Sequence, residues 1–440
     1  MTTITEYKSD FINEKYYKIE HESGLDIYLY PKERSVLYAL LSVNYGSAGS
    51  MYYSPQTGKI EKFPEGIAHF LEHKMFEDEN GGDKSDRFNE IGAYANAYTS
   101  YSETAYTVEC TKNAGTAIYE LLKLVRTPHF TEESVAHEKY IIEQEINTAD
   151  DDPYEAGYYA ALHAMYKYHS IKKKIAGNSS SIKKITAEQL YLCHKLFYVP
   201  KNMKLGICGD IDCQTVIKAA DEAMKGLSDS SAQPPKVYYP REYSPISKKQ
   251  NSIYRPVSTP IFDIGIKITD KTVDKQKNRR TTVAMNILTS MLLSSSEPFC
   301  NLMYDKKLIV SSPQYEYVSY MEAGYSFVVF DGQSKKPETF YKQFILYLEK
   351  LKKKGLSHES FERTKRVYFA ENIKSFDSCD YISSNLAFCA HNDFMLFDKA
   401  ELIADITFDE VSNLFYEIFD EKYITLSVIN SFRKIDKRRK

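Results

Sequence analysis

The chain has 440 residues, 43% hydrophobic and 27% charged, with 57 Lys and Arg against 60 Asp and Glu for a net charge of −3. Such a length exceeds one ordinary hydrophobic core and predicts two domains of roughly 200 residues. The charge balance argues against nucleic acid as a partner, no apolar run reaches the roughly 18 residues of a membrane span, and the opening MTTITEYKSD carries no secretory signal. Seven cysteines, odd in number, scattered and without a CxxC, read as reduced thiols of a cytoplasmic protein.

In chain order, 25–30 and 36–45 read as strands. Pro64 and Glu65 open a helix in which Ile67, Phe70, Leu71 and Met75 face away from His69 and His73 or flank them. A polar stretch, 78–86, leads to a short helix at 87–91. Residues 93–110 are rich in Tyr, Thr and Ala and read as two strands joined by 100–104. A helix over 115–126 follows, then Thr131 as N-cap of an acidic helix reaching about Thr148, ended by Asp150, Asp151, Asp152 and Pro153. Helices at 154–168 and 186–197 precede a strand at 204–208. Residues 227–250, rich in Ser, Pro and Lys without apolar periodicity, read as a linker. Beyond it come a strand at 260–268, a helix at 280–293, strands within 314–331, helices at 337–352, 358–374 and 407–418, and a strand at 424–429. The basic ending, Arg433 to Lys440, reads as a solvated tail. The similar element order of the halves predicts a duplicated α+β domain, 1–226 and 251–440 about the linker at 227–250.

One segment carries chemistry. His69-Phe70-Leu71-Glu72-His73 places two imidazoles one helical turn apart on one face, where both can reach a single metal ion, with Glu72 beside them able to hold a water. This HxxEH is the zinc-peptidase motif HExxH in reverse. Catalytic zinc takes three protein ligands and leaves a position open, so a third ligand must come from another helix. In the acidic helix, Glu138 and Glu145 lie within about 20° of each other, while Glu143 points roughly opposite to Glu145. A carboxylate on a stripe with Ile141 and Ile142 is costly to bury unless paired or metal-bound. The plain alternative is a solvated acidic face, and facing alone does not choose between Glu138 and Glu145.

GIAHFLEH, then NAYTSYSETAY, then EKYIIEQEI and DDDP resemble the pitrilysin/insulinase family of zinc metallopeptidases, nearest to its bacterial subfamily similar to mitochondrial processing peptidase. The likeness is dense over about residues 60–212 and thin elsewhere. It implies one Zn²⁺ held by His69, His73 and Glu145, with Glu138 an acidic neighbour of the site and Glu72 the base. It also implies two homologous α/β-sandwich domains, each a mixed sheet with helices packed on it, forming half of a clamshell. A strand over Ala95, Asn96, Ala97, Tyr98 and Thr99 would pair with an extended peptide, favouring short or unfolded substrates. An ordinary core strand is the bland alternative.

The resemblance has a gap. Relatives supply an Arg and a Tyr seven residues apart from the second half, and here Met303 and Val310 occupy those positions. Neither side chain donates a hydrogen bond. The expectation is a zinc endopeptidase of the bacterial cytoplasm, the metal-bearing subunit of a heterodimer whose second insulinase-like subunit brings the Arg/Tyr pair. A homodimer is the alternative partnership, with Tyr304 or Lys306 as substitutes for part of the missing role. Competing functions are a non-catalytic peptide-binding or scaffold subunit, and a structural zinc site. The latter lacks a fourth ligand, since His137 points about 100° away from the Glu138 stripe.

Overall fold

The computed structural model describes residues 2–226, 231–242, 245–269, 274–320 and 323–431. Among these residues the chain forms two compact units. The first contains β1 (Thr3–Ser9), β2 (Glu14–Glu20), β3 (Asp26–Pro31), β4 (Leu37–Val43), β5 (Met51–Tyr53), β6 (Ile60–Lys62), β7 (Ala93–Thr99), β8 (Thr104–Cys110) and β9 (Met203–Gly209). The second contains β10 (Gln250–Arg255), β11 (Ile261–Lys267), β12 (Gln314–Tyr320), β13 (Tyr325–Gln333) and β14 (Ile424–Ser431). The main sheet of the first unit has the order β1-β2-β3-β9-β4-β8-β7, and the sheet of the second β10-β14-β11-β13-β12.

The two orders repeat one topology. β3 pairs with β9, and β10 with β14, in parallel; each following pair toward β7 or β12 is antiparallel. This is the duplicated α+β architecture expected from the element order. β1 and β2 extend the first sheet beyond the repeat and escape the sequence reading, because their side chains are mostly exposed or half-buried and leave little apolar alternation.

Each unit has its own core. In the first, Ile67, Phe70, Leu71 and Met75 pack with Leu121, Val135, Ile142 and Ile146. In the second, Phe262, Ile264, Leu288, Phe330, Phe344 and Phe415 do the same. Burying such side chains contributes roughly 1.5–3 kcal/mol each, and this apolar seating fixes the helices that carry the polar site.

Unit membership does not follow chain order. The first unit takes Met1–Ile146, Lys173–Tyr238 and Glu371–Glu401; the second takes Asn147–Lys172, Tyr239–Ala370 and Leu402–Lys440. Each sheet is therefore covered by a helix from the other half of the sequence. Helix Cys379–His391 lies on β9, β4 and β3, and helix Pro153–Met165 on β11 and β14. Glycine permits both approaches: a Cβ on Gly206 would stand 2.1 Å from the Ser383 carbonyl oxygen, and one on Gly265 2.8 Å from Met165 Sδ. A single cut at 227–250 has no place for this exchange.

The stretch read as linker is partly built in. Tyr53 N donates to Lys236 O at 2.9 Å and Tyr238 N to Met51 O at 2.8 Å, so residues 236–238 run beside β5 in the first unit. In the second, Glu242 accepts from the backbone of His169 at 2.6 Å. Among the described residues no helix is long and apolar enough to cross a membrane. The basic ending lies outside the described residues.

Candidate metal centre

Helix Ile67–Met75 starts after Gly66, whose φ of 90° and close approach to Ala176 O exclude a Cβ. Ile67, Ala68, Phe70, Leu71 and Met75 are buried at 1% exposure or less, which locks the helix rotation. The remaining stripe carries His69 and His73, half-buried, with ring centroids 4.6 Å apart.

The second helix runs Glu132–Asp151. Thr131 caps it as expected, its Oγ1 accepting from Ser134 N at 3.1 Å. Val135, Ile142 and Ile146 are buried, and they turn Glu138 and Glu145 toward the histidines. Glu145 Oε2 stands 3.6 Å from His73 Nε2 and 3.9 Å from His69 Nε2. Glu138 Oε1 instead sits 3.1 Å from His73 Nδ1. Glu143 points elsewhere, to Lys183 Nζ at 3.2 Å. The structure thus separates the two carboxylates that facing alone left equivalent. The helix continues to Asp151, and Asp152 then caps the next one.

Among the described residues, the group of His, Cys, Asp and Glu side chains able to hold a metal is His69, His73 and Glu145, with donor atoms all within 4.8 Å of one another. Ligands at ~2.0–2.2 Å around tetrahedral zinc stand roughly 3.3–3.6 Å apart, so small side-chain adjustments close the set. Glu138 on Nδ1 and Glu145 toward Nε2 flank the His73 ring on its two nitrogen edges, so the ring is held with Nε2 turned to the Glu145 carboxylate. Burial, with the charge of His73 adding to it, lowers the His69 pKa to about 3, holding the imidazole in its neutral, ligating form. Burial also opposes the charge on His73, but the hydrogen bond to Glu138 and the nearby carboxylates outweigh it and raise its pKa. His69 lacks such a brace: its Nδ1 is buried and, among the described residues, no acceptor reaches it. His137 is exposed and outside the group.

Glu72 is 8% exposed, and its Oε2 accepts from Thr99 Oγ1 at 2.7 Å. Burial raises the carboxyl pKa, against the opposing pull of the Thr99 bond. A base of raised pKa holds an abstracted proton more readily near neutral pH. The Thr99 hydroxyl, on the strand expected to pair with a peptide, is thus engaged by Glu72. That link spans 27 residues, and nothing in local spacing announces it.

Thr99 ends β7, which among the described residues lies at the edge of the sheet and pairs with β8 alone. Residues 94–99 alternate between exposed Tyr94, Asn96 and Tyr98 and half-buried Ala95, Ala97 and Thr99. Asn96 Oδ1 accepts from Ala97 N at 2.9 Å, so an outward backbone donor at this edge is covered by a side chain that a pairing strand would displace. Tyr98 OH donates to Glu103 Oε1 at 3.2 Å, and Ser42 Oγ to Glu103 Oε2 at 2.5 Å. His391 Nε2 lies 3.1 Å from the same Ser42 oxygen. This chain of polar groups anchors the turn between β7 and β8, and with it the position of Thr99.

In the second unit, Met303 is buried within the core and Val310 is 54% exposed. Tyr304 is exposed too.

In the first unit an HxxEH motif on a buried helix thus meets a carboxylate from a second helix. The chain belongs to the insulinase family, peptidase family M16. Residues 48–179 match the family model described as insulinase (peptidase family M16), and residues 184–368 the one described as the peptidase M16 inactive domain. His69, Glu72, His73 and Glu145 all lie in the first match. A Bacillus subtilis (strain 168) protein named uncharacterized zinc protease YmfH is 31% identical over 408 residues, covering 92% of this chain and 94% of its own length. The crystal structure of an M16-like peptidase from Alicyclobacillus acidocaldarius is similar with a TM-score of 0.88 at 27% identity, covering 98% of both chains. A Helicobacter pylori protease structure shares the fold, with a TM-score of 0.81 at 20% identity over 95% of this chain and 99% of the other.

Proposed function

We propose that this chain is a zinc-dependent endopeptidase acting on short or unfolded peptides, with His69, His73 and Glu145 as metal ligands and Glu72 as general base. The convergence of those three donors within 4.8 Å, beside Glu72, carries the reading. Zinc held there supplies positive charge that polarises a peptide carbonyl and acidifies water. Glu72, oriented by Thr99, takes a proton from the attacking water and passes it to the leaving amine. Glu138 holds the His73 ring in the tautomer that presents Nε2. The β7 edge, at Asn96, Ala97 and Tyr98, receives the peptide as an added strand and reads its backbone more than its side chains.

The same reading makes the chain the metal-bearing member of a heterodimer in the bacterial cytoplasm. The departures at Met303 and Val310 support this: one is a core residue, and neither can donate a hydrogen bond from its side chain. The test measures bound zinc and cleavage of an unstructured peptide for wild type and Glu72→Gln, with and without a second insulinase-like subunit. Zinc retained with cleavage abolished in the variant is the expected result. Unchanged cleavage by Glu72→Gln removes it as the base. Zinc binding with no cleavage under any pairing favours a non-catalytic peptide-binding subunit, and full activity of the chain alone removes the heterodimer.

A further inference from the structure

Two cysteines far apart in sequence meet in the first unit. Cys208 near the end of β9 and Cys379 at the start of helix Cys379–His391 have sulfurs 3.1 Å apart across 171 residues, and Cys208 donates to Cys379. That separation is about 1 Å outside a covalent sulfur–sulfur bond. The surroundings of the two sulfurs differ. Cys208 is buried, whereas Cys379 is half-buried and reachable from solvent.

Three features favour a thiolate at Cys379. It is the first residue of a 13-residue helix capped by Ser378, whose Oγ accepts from Tyr381 N at 3.2 Å, so it stands in the first turn, at the positive end of the helix dipole. Two cations approach from the strand side: Lys32 Nζ donates to Phe376 O at 2.8 Å, and Arg34 Nη2 lies 3.2 Å from Asp377 Oδ1. The hydrogen bond from Cys208, with the charges of Arg34 and Lys32, holds the Cys379 thiol below the ordinary range, while Cys208 is pushed above it.

We propose that Cys379 is an oxidative modification site for small hydroperoxides, and that Cys208 resolves the oxidised sulfur into a reversible intrachain disulfide. The Cys379 thiolate attacks the terminal peroxide oxygen; a sulfur–oxygen bond forms, the oxygen–oxygen bond breaks, and the leaving oxygen departs as water or alcohol after taking a proton. Cys208 sulfur then attacks the sulfenic acid, its proton leaves with the hydroxyl as water, and the sulfur–sulfur bond closes. Two thiols lose two electrons and two protons in total, and one peroxide is reduced. A small dithiol reverses the bond by exchange. The product ties helix Cys379–His391 covalently to the sheet of the unit that carries the metal-site residues.

The experiment treats the full-length chain with stoichiometric hydrogen peroxide at neutral pH, traps free thiols by alkylation and maps the peptides by mass. A linked pair of peptides containing Cys208 and Cys379, reversed by dithiothreitol, is expected before any other cysteine reacts. In Cys208→Ser the same dose should leave a dimedone-reactive sulfenic acid on Cys379, and in Cys379→Ser Cys208 should stay reduced. The oxidised wild type should also unfold at a higher temperature than its reduced form. Oxidation of Cys379 no faster than of buried Cys193, or no Cys208–Cys379 peptide in the treated wild type, overturns the proposal whatever the variants do.

Discussion

Glu138 Oε1 lies 3.1 Å from His73 Nδ1, on the ring edge away from Glu145. One carboxylate of the acidic helix thus braces the imidazole on one edge while the other faces its opposite nitrogen. Substituting such a partner typically weakens metal affinity about 10–100-fold. Glu138→Ala should weaken zinc binding within that range, and Glu138→Gln less, because its amide oxygen still accepts from Nδ1. Competition against a chelator of known affinity checks this, and equal affinities for wild type and Glu138→Ala would refute it.

Glu145→Gln should lose stoichiometric zinc, whereas Glu143→Gln should retain it. Glu143 is engaged by Lys183 at 3.2 Å and faces away from the histidines. Elemental analysis of the two purified variants decides the matter. Zinc loss in both would show that the acidic helix acts through its overall charge.

Thr99→Val keeps the branched shape of the side chain and removes the hydroxyl that donates to Glu72 at 2.7 Å. Cleavage should fall by about 10–100-fold, mainly in kcat, on the scale of one hydrogen bond to a charged group at roughly 1.5–3 kcal/mol. Glu72→Gln should cost about 10²–10⁴-fold, as expected for a lost general base. Parallel steady-state kinetics at saturating zinc give both values, and a purely KM effect in Thr99→Val would remove its orienting role.

Acid should destabilise the first unit. Burial lowers the pKa of His194, whose Nε2 meets Val125 O at 2.8 Å, to about 4, and that of His391, also opposed by the charge of Lys204, to about 3. An unfolded His titrates near ~6.5, so below that pH the unfolded chain binds more protons than the folded one. Stability is therefore full above about pH 6.5 and declines as pH falls toward the folded values. Urea midpoints at pH 7.5 and 5.0 should differ, and His194→Gln should show a smaller difference than wild type. An unchanged difference would mean that His194 is not buried neutral.

Gly206→Ala tests the exchanged helix. The added Cβ would meet the Ser383 carbonyl oxygen at 2.1 Å, a backbone atom that cannot swing aside. Overpacking of this kind costs roughly 1–3 kcal/mol. A urea midpoint lowered by that amount is expected, and an unchanged one would place the helix farther from β9.

The pairing of His69 and His73 was legible in the sequence because helical periodicity alone sets them on one face. The same periodicity narrowed the acidic helix to Glu138 and Glu145, and the family resemblance chose between them. What the strand pattern could not reveal was the reach of Thr99 to Glu72, or of Tyr98 through Glu103 and Ser42 to His391. Those contacts depend on where separate elements dock, and short-range pattern carries no record of docking.

By itself the amino-acid order determined the elements that carry the site, their facing and the duplicated α+β class, since each follows from local spacing of apolar and polar side chains. Tertiary structure decided the rest. It set Glu138 and Glu145 on different nitrogens of His73, brought the Thr99 hydroxyl at the end of β7 to Glu72, buried Met303 in a core and carried Cys379 across 171 residues to Cys208. The physical reason is common to all four. Burial of apolar faces fixes how elements pack, and polar groups distant in sequence then meet wherever that packing leaves them.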